Sequence, residues 1–126
     1  MCKQKALIVD DDREIAGGIA IRLKSAGFET KCAFDGRAGL ELAASYEPDV
    51  MILDVRMPQM NGLEVLHELK KQPGKQPPVI MVSASLLDQD HALECGATFF
   101  LKKPYSGQDL ILAARKTIGL QECHAS

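Results

Sequence analysis

What this chain of 126 residues lacks narrows its function before any motif is read. There is no excess of positive charge. Lys+Arg number 15 against 17 Asp+Glu, a formal net charge of -2, and the basic residues cluster no further than pairs such as Lys70-Lys71. The field that draws in a nucleic-acid backbone is missing, so no direct nucleic-acid partner is expected. No apolar run approaches the roughly 20 residues of a membrane span. Met1-Cys2-Lys3-Gln4-Lys5 leads into a strand too short for a signal-peptide core. A cytoplasmic chain without a membrane partner is the expectation. The four cysteines, Cys2, Cys32, Cys95 and Cys123, include no C-x-x-C pair, and no histidine stands at zinc-ligand spacing. They read as free thiols of a reducing compartment. His67 and His91 fall in amphipathic helical segments and His124 in the tail, all read as solvated. Internal repeats, low-complexity tracts and linkers are absent too, and the length excludes a (β/α)₈ barrel.

What is present is a set of short apolar runs that end abruptly in polar residues. Leu7 to Val9 runs into Asp10, Asp11 and Asp12; Val50 to Leu53 into Asp54; Val79 to Val82 into Ser83; Phe99 to Leu101 into Lys102 and Lys103. Uniformly apolar runs are the mark of parallel strands covered on both faces. With a further strand at Glu29 to Ala33, they alternate with helical patterns near Arg13 to Ala26, Arg37 to Ser45, Leu63 to Lys71, Leu86 to Glu94 and Gln108 to Ile118. Ile15, Ile19 and Leu23 mark the inner face of the first helix, and Leu40, Ala43 and Ala44 that of the second. Gly17-Gly18 weakens the first helix, and Gly119 closes the last. Five β-then-α units predict a doubly wound, parallel, three-layer α/β sandwich in a single domain over 1–126. Its core spans about 5–118, and 119–126 reads as a tail or truncated linker.

Parallel strands place their carboxyl ends along one edge, where ligands bind. Asp12, directly before a helix, reads as an N-cap. Asp54 follows buried residues and precedes no helix directly, so capping does not explain it. At about 4 Å and an effective dielectric near 20, a pair of carboxylates costs roughly 4 kcal/mol. A proton or a cation must offset that cost, and hard oxygen ligands with water access suit Mg²⁺. Lys103 adds a positive charge and Ser83 a hydroxyl donor. Asp54 as nucleophile then completes the parts needed for in-line phosphoryl transfer to a carboxylate.

The set Val9-Asp10-Asp11, Leu53-Asp54-Val55-Arg56-Met57-Pro58 with Asn61-Gly62, Ser83-Ala84 and Lys103-Pro104 resembles that of receiver domains of bacterial response regulators, from Leu7 to about Ile118. The resemblance implies a flavodoxin-like fold with sheet order 2-1-3-4-5. It makes Asp54 the acceptor of a phosphoryl group from the phosphohistidine of a sensor histidine kinase or phosphotransfer protein. Asp11 and Asp54 become Mg²⁺ ligands with the Arg56 backbone carbonyl, and Asp10 an indirect one. Ser83 and Phe100 take the switch positions, Lys103 contacts the phosphate, Arg56 and Ser85 tune dephosphorylation, and Lys103-Pro104 is expected to be cis. Phe100 lacks the hydroxyl of the tyrosine often found at its position and reads equally as a core residue. The output would pass through the face of the fourth helix, fifth strand and fifth helix to a protein partner or output domain, with a phosphorylation-dependent dimer as a further form. The chain is expected to be a switch rather than an enzyme.

Ser83 and Lys103 can each make a charge-assisted hydrogen bond worth about 1.5–3 kcal/mol. Together they approach the roughly 5.5 kcal/mol needed to reverse a 1:99 equilibrium. The segment expected to move is Ala84 to Cys95, together with Phe100 and the last helix. The runner-up is a Mg²⁺-dependent phosphatase with an aspartyl nucleophile, but the haloacid-dehalogenase-like enzymes need a second Asp where Arg56 stands. A flavodoxin-like electron carrier would place a phosphate-binding loop where Asp10, Asp11 and Asp12 would repel it. A pseudo-receiver would not need the intact Asp54, Ser83 and Lys103.

Overall fold

Successive side chains of a strand point to opposite faces, so a run that is apolar throughout needs a layer on each side. The computed structural model describes residues 3–74 and 76–125, with side chains as far as residue 119. Both layers are there. β1 (Lys5–Val9), β2 (Glu29–Ala33), β3 (Val50–Asp54), β4 (Val79–Ser83) and β5 (Phe99–Lys102) pair in parallel in the order β2-β1-β3-β4-β5. The helices are α1 (Arg13–Ser25), α2 (Gly36–Tyr46), α3 (Gly62–Lys71), α4 (Leu87–Glu94) and α5 (Gly107–Ala125). The fold is the expected flavodoxin-like α/β sandwich with sheet order 2-1-3-4-5.

The two-residue alternation divides the core. Ala6, Ile8, Val50, Ile52, Ile80 and Val82 face α1 and α5, meeting Ala16, Ile19, Ala20 and Leu23 of the first and Leu110, Ala113, Ala114 and Ile118 of the second. Leu7, Val9, Met51, Leu53, Val79 and Met81 face the other way, toward Ala43 and Tyr46 of α2, Val65, Leu66 and Leu69 of α3, and Ala92 of α4. Each fully buried Leu or Ile contributes roughly 1.5–3 kcal/mol, and the sheet is thereby fixed as the rigid platform for its carboxyl edge.

Three local expectations are corrected. Ile15 is 41% exposed, and the buried face of α1 is Ala16, Ile19, Ala20 and Leu23. A strict spacing of four drifts by about 40° per step on a helix of 3.6 residues per turn, so the stripe from Leu23 leaves Ile15 outside. Ala44 is exposed, because α2 buries Gly39, Ala43 and Tyr46 instead. Gly119 does not end α5, which continues to Ala125. A glycine inside a helix costs about 1 kcal/mol without forbidding it, and a Cβ there would meet nothing within 4 Å. Gly17 and Gly18 are likewise uncrowded, so the pair serves no close approach.

Candidate functional site

Strand register assembles the site. Val9 pairs with Leu53, so Asp10 and Asp54, each one residue further, lie side by side. Asp54 pairs with Val82 and Ser83 with Lys102, which carries Ser83 and Lys103 to the same edge. Backbone bonds continue the pairing beyond the strands: Asp10 N–H donates to the Ala33 carbonyl at 3.1 Å and Lys103 N–H to the Ser83 carbonyl at 2.8 Å. The Lys103-Pro104 peptide is cis, as expected. Gly62 opens α3 directly against β3, where a Cβ would collide with the Asp54 carbonyl oxygen. Only glycine lets the helix start that close to the backbone at the end of β3.

Asp10 and Asp54 are buried, 2% and 5% exposed, while Asp11 is exposed. Lys103 Nζ donates to Asp54 Oδ1 at 3.2 Å and lies 3.9 Å from Asp10 Oδ2. Burial pushes the Asp54 carboxyl above its ordinary range. The Lys103 charge opposes the shift, the Asp10 charge adds to it, and hydrogen bonds from Lys103 and the Arg56 backbone N–H oppose it. Asp10 is also raised, first by burial, with the Asp12 N–H bond and Lys103 opposing and the charges of Asp11 and Asp12 adding. Burial outweighs a single lysine at both carboxylates. The site thus holds more negative charge than its own cation offsets.

A divalent cation fits that imbalance. Oxygens of Asp10, Asp11 and Asp54 lie within 4.8 Å of one another, and Asp10 Oδ2 is buried without a hydrogen-bond partner. Carboxylate oxygens of this kind, one of the three open to water, match the needs of Mg²⁺. Asp12 stands apart: its Oδ1 accepts from Glu14 and Ile15 N–H at 3.0 and 3.2 Å, the N-cap role expected of it.

Ser83 is close by but differently engaged. Its hydroxyl donates to Asp88 Oδ2 at 2.6 Å and accepts from Ser85 N–H at 3.1 Å. The other Asp88 oxygen, Oδ1, accepts from Arg56 Nη2 at 2.9 Å. Ser85 itself accepts from Leu87 N–H at 3.2 Å. Phe100, opposite Met81 on β5, is half-buried against the α2–α3–α4 side of the core. Asp10, Asp11, Asp54 and Lys103 are therefore brought together, while the side chains of Ser83 and Arg56 are joined through Asp88.

Sequence reasoning missed Asp88 because an Asp in the first turn of a helix is explained by the macrodipole alone. The available signal was the residue before the helix: Leu86 makes no capping bond. Tyr105 was missed as well. Burial and the charges of Asp10 and Asp54 push its phenol up to about 12, which places it in their field. His67 and His91 are exposed, and Cys32 and Cys95 are free. Cys2, Cys123 and His124 lie outside the described side chains. Among the described residues no helix is long and apolar enough to cross a membrane.

Comparison with known proteins gives a consistent picture. The family model described as response regulator receiver domain matches residues 6–115. Regulatory protein AtoC of Escherichia coli (strain K12) is 35% identical over 118 residues, which cover 93% of this chain and 26% of that protein. The chain thus spans about a quarter of the length of that relative. Among solved structures, the receiver domain of the Francisella response regulator 1452 superposes with a TM-score of 0.87 at 33% identity, covering 94% of this chain and 99% of that one. The receiver domain of NtrX from Brucella abortus does so with a TM-score of 0.84 at 32% identity, covering 90% and 98%.

Proposed function

The chain belongs to the response regulator receiver domain family, a signalling-switch family of two-component systems, and from that premise we propose that Asp54 accepts a phosphoryl group from a phosphohistidine. A carboxylate oxygen of Asp54 attacks phosphorus as the P–N bond to the donor imidazole breaks, and the imidazole leaves with the bonding electron pair. Asp54 is suited to this role because Lys103 holds one of its oxygens at 3.2 Å and the Arg56 backbone N–H orients the carboxylate. The observation that carries the reading is the buried pair of carboxylates with one shared lysine, an excess of negative charge that calls for a cation before a phosphoryl group can approach.

Asp11 and Asp54 are the proposed Mg²⁺ ligands, with the Arg56 backbone carbonyl a further ligand and Asp10 acting indirectly. Mg²⁺ bound there would neutralise carboxylate and phosphoryl charge and orient the transferring group. Lys103 would then donate to a phosphoryl oxygen, and Ser83 to another, each at about 1.5–3 kcal/mol. Arg56 and Ser85, flanking the pocket, are assigned to setting the phosphoryl lifetime. Output is assigned to the face of α4, β5 and α5, where Leu86, Leu87, Leu93 and Leu112 are exposed, with Phe100 as a switch residue, toward a protein partner or output domain or a second copy of the chain. The phosphodonor is a sensor histidine kinase or phosphotransfer protein, and the setting is cytoplasmic. A turnover phosphatase is the weaker reading, since Arg56 stands where its acid/base carboxylate belongs.

The test is incubation with Mg²⁺ and acetyl phosphate, read by intact mass. The wild type is expected to gain one phosphoryl group and Asp54→Ala none. A wild type that gains none, or a mutant that gains one equally, overturns the assignment.

A further inference from the structure

A serine hydroxyl has one proton to donate, and in this structure the Ser83 proton is committed to Asp88 Oδ2 at 2.6 Å. The same carboxylate holds the Arg56 guanidinium at 2.9 Å through its other oxygen. Asp88 belongs to α4, Ser83 ends β4, and Arg56 lies two residues past Asp54. One side chain thus ties α4 to the two segments that flank the acceptor.

We propose that Asp88 is a positioning residue that latches the unphosphorylated form by withholding Ser83 and Arg56 from the Asp54 pocket. The proposal rests on the acceptor reading of Asp54 and adds a competitor for its hydrogen-bond donors. A phosphoryl oxygen on Asp54 obtains the Ser83 proton only if Asp88 gives it up. Loss of that bond leaves Asp88 with the Arg56 ion pair alone, and since the Arg56 side chain is 69% exposed, a phosphoryl group on Asp54 competes with Asp88 for it as well. The rest of α4 offers little resistance. Besides Asp88 its buried residue is Ala92, and Leu86, Leu87 and Leu93 are exposed. The N-cap residue Leu86 makes no side-chain bond, so the side chains that hold the first turn are Asp88, through Ser83 and Arg56, and Ser85, whose hydroxyl accepts from Leu87 N–H at 3.2 Å. Release of the latch therefore frees the element that carries the exposed leucines.

Removing the latch should raise the fraction of binding-competent protein, and apparent affinity for a phosphoryl mimic rises with that fraction. The experiment measures beryllofluoride affinity in the presence of Mg²⁺ for the full chain. The variants are Asp88→Ala, the near-isosteric Asp88→Asn, Ser83→Ala and the Ser83→Ala/Asp88→Ala double variant. Asp88→Ala is expected to bind about tenfold tighter, the scale of one charge-assisted hydrogen bond. Asp88→Asn, which keeps an acceptor for Ser83 but loses the ion pair, should fall between, and serves alone if the alanine variant does not fold. In the Ser83→Ala background the Asp88→Ala gain should be largely lost. Equal affinity of the wild type and both Asp88 variants overturns the latch, as does a gain that persists undiminished without Ser83. A wild type that binds no beryllofluoride overturns the acceptor reading itself.

Discussion

α3 and α4 follow adjacent strands of the same sheet, yet they are held in place by different forces. α3 starts with a capping box, in which Asn61 Oδ1 accepts from Glu64 N–H at 2.9 Å and Glu64 Oε1 accepts from Asn61 N–H at 3.1 Å. It then buries Val65, Leu66 and Leu69. α4 has no capping box: Leu86 at its N-cap makes no side-chain bond, the Ser85 hydroxyl accepts from Leu87 N–H at 3.2 Å, and the helix buries Asp88 and Ala92, with Leu87 89% exposed. An apolar anchor has no preferred partner and is insensitive to charge, whereas a polar anchor can be drawn away by a stronger acceptor. The sheet edge thus joins a fixed helix beside the carboxylate to a releasable helix beside the hydroxyl.

The contrast is sharpest in the largest side chains. Leu66→Ala should cost about 2–5 kcal/mol in denaturant unfolding, whereas Leu87→Ala should stay within roughly 0.5 kcal/mol. Equal costs would break the comparison. Gly62→Ala comes next. The Cβ would meet the Asp54 carbonyl oxygen, and overpacking against backbone should cost roughly 1–3 kcal/mol, with chemical-shift changes at Asp54 that Gly18→Ala does not produce. Asn61→Ala removes half of the capping box and should cost about 1 kcal/mol, while Leu86→Ala, at a position that caps nothing, should change stability by less than about 0.5 kcal/mol. The remaining effect is a gain. Gly18→Ala, exposed in α1 with open space around its Cβ, should add roughly 0.5–1 kcal/mol in the same unfolding measurement.

The same contrast explains what the sequence made legible. Apolar runs ending in Asp10, Asp54 and Ser83 identify strands and their chemistry together, because burial on both faces leaves no other use for such runs, while the run before Lys103 forms the half-buried edge strand β5. The α3 stripe of Leu66 and Leu69 is visible for the same reason. Asp88 is hidden because its importance comes from the rotation of α4 about its axis, and a helix with few buried residues writes no strong periodicity into its sequence. Ile15 and Ala44 show the limit from the other side, since small differences in helix rotation decide which apolar residue reaches the core. Gly119, inside α5, shows that a glycine permits a helix end without imposing one.

The most direct measurement of whether chemistry at Asp54 is transmitted to the polar-anchored helix is amide hydrogen exchange before and after phosphorylation by acetyl phosphate with Mg²⁺, with Asp54→Asn as control. The predicted result is a change in exchange across residues 84–95 with little change across residues 62–71, and no change in the control. An unchanged 84–95 segment in the phosphorylated protein would contradict the account.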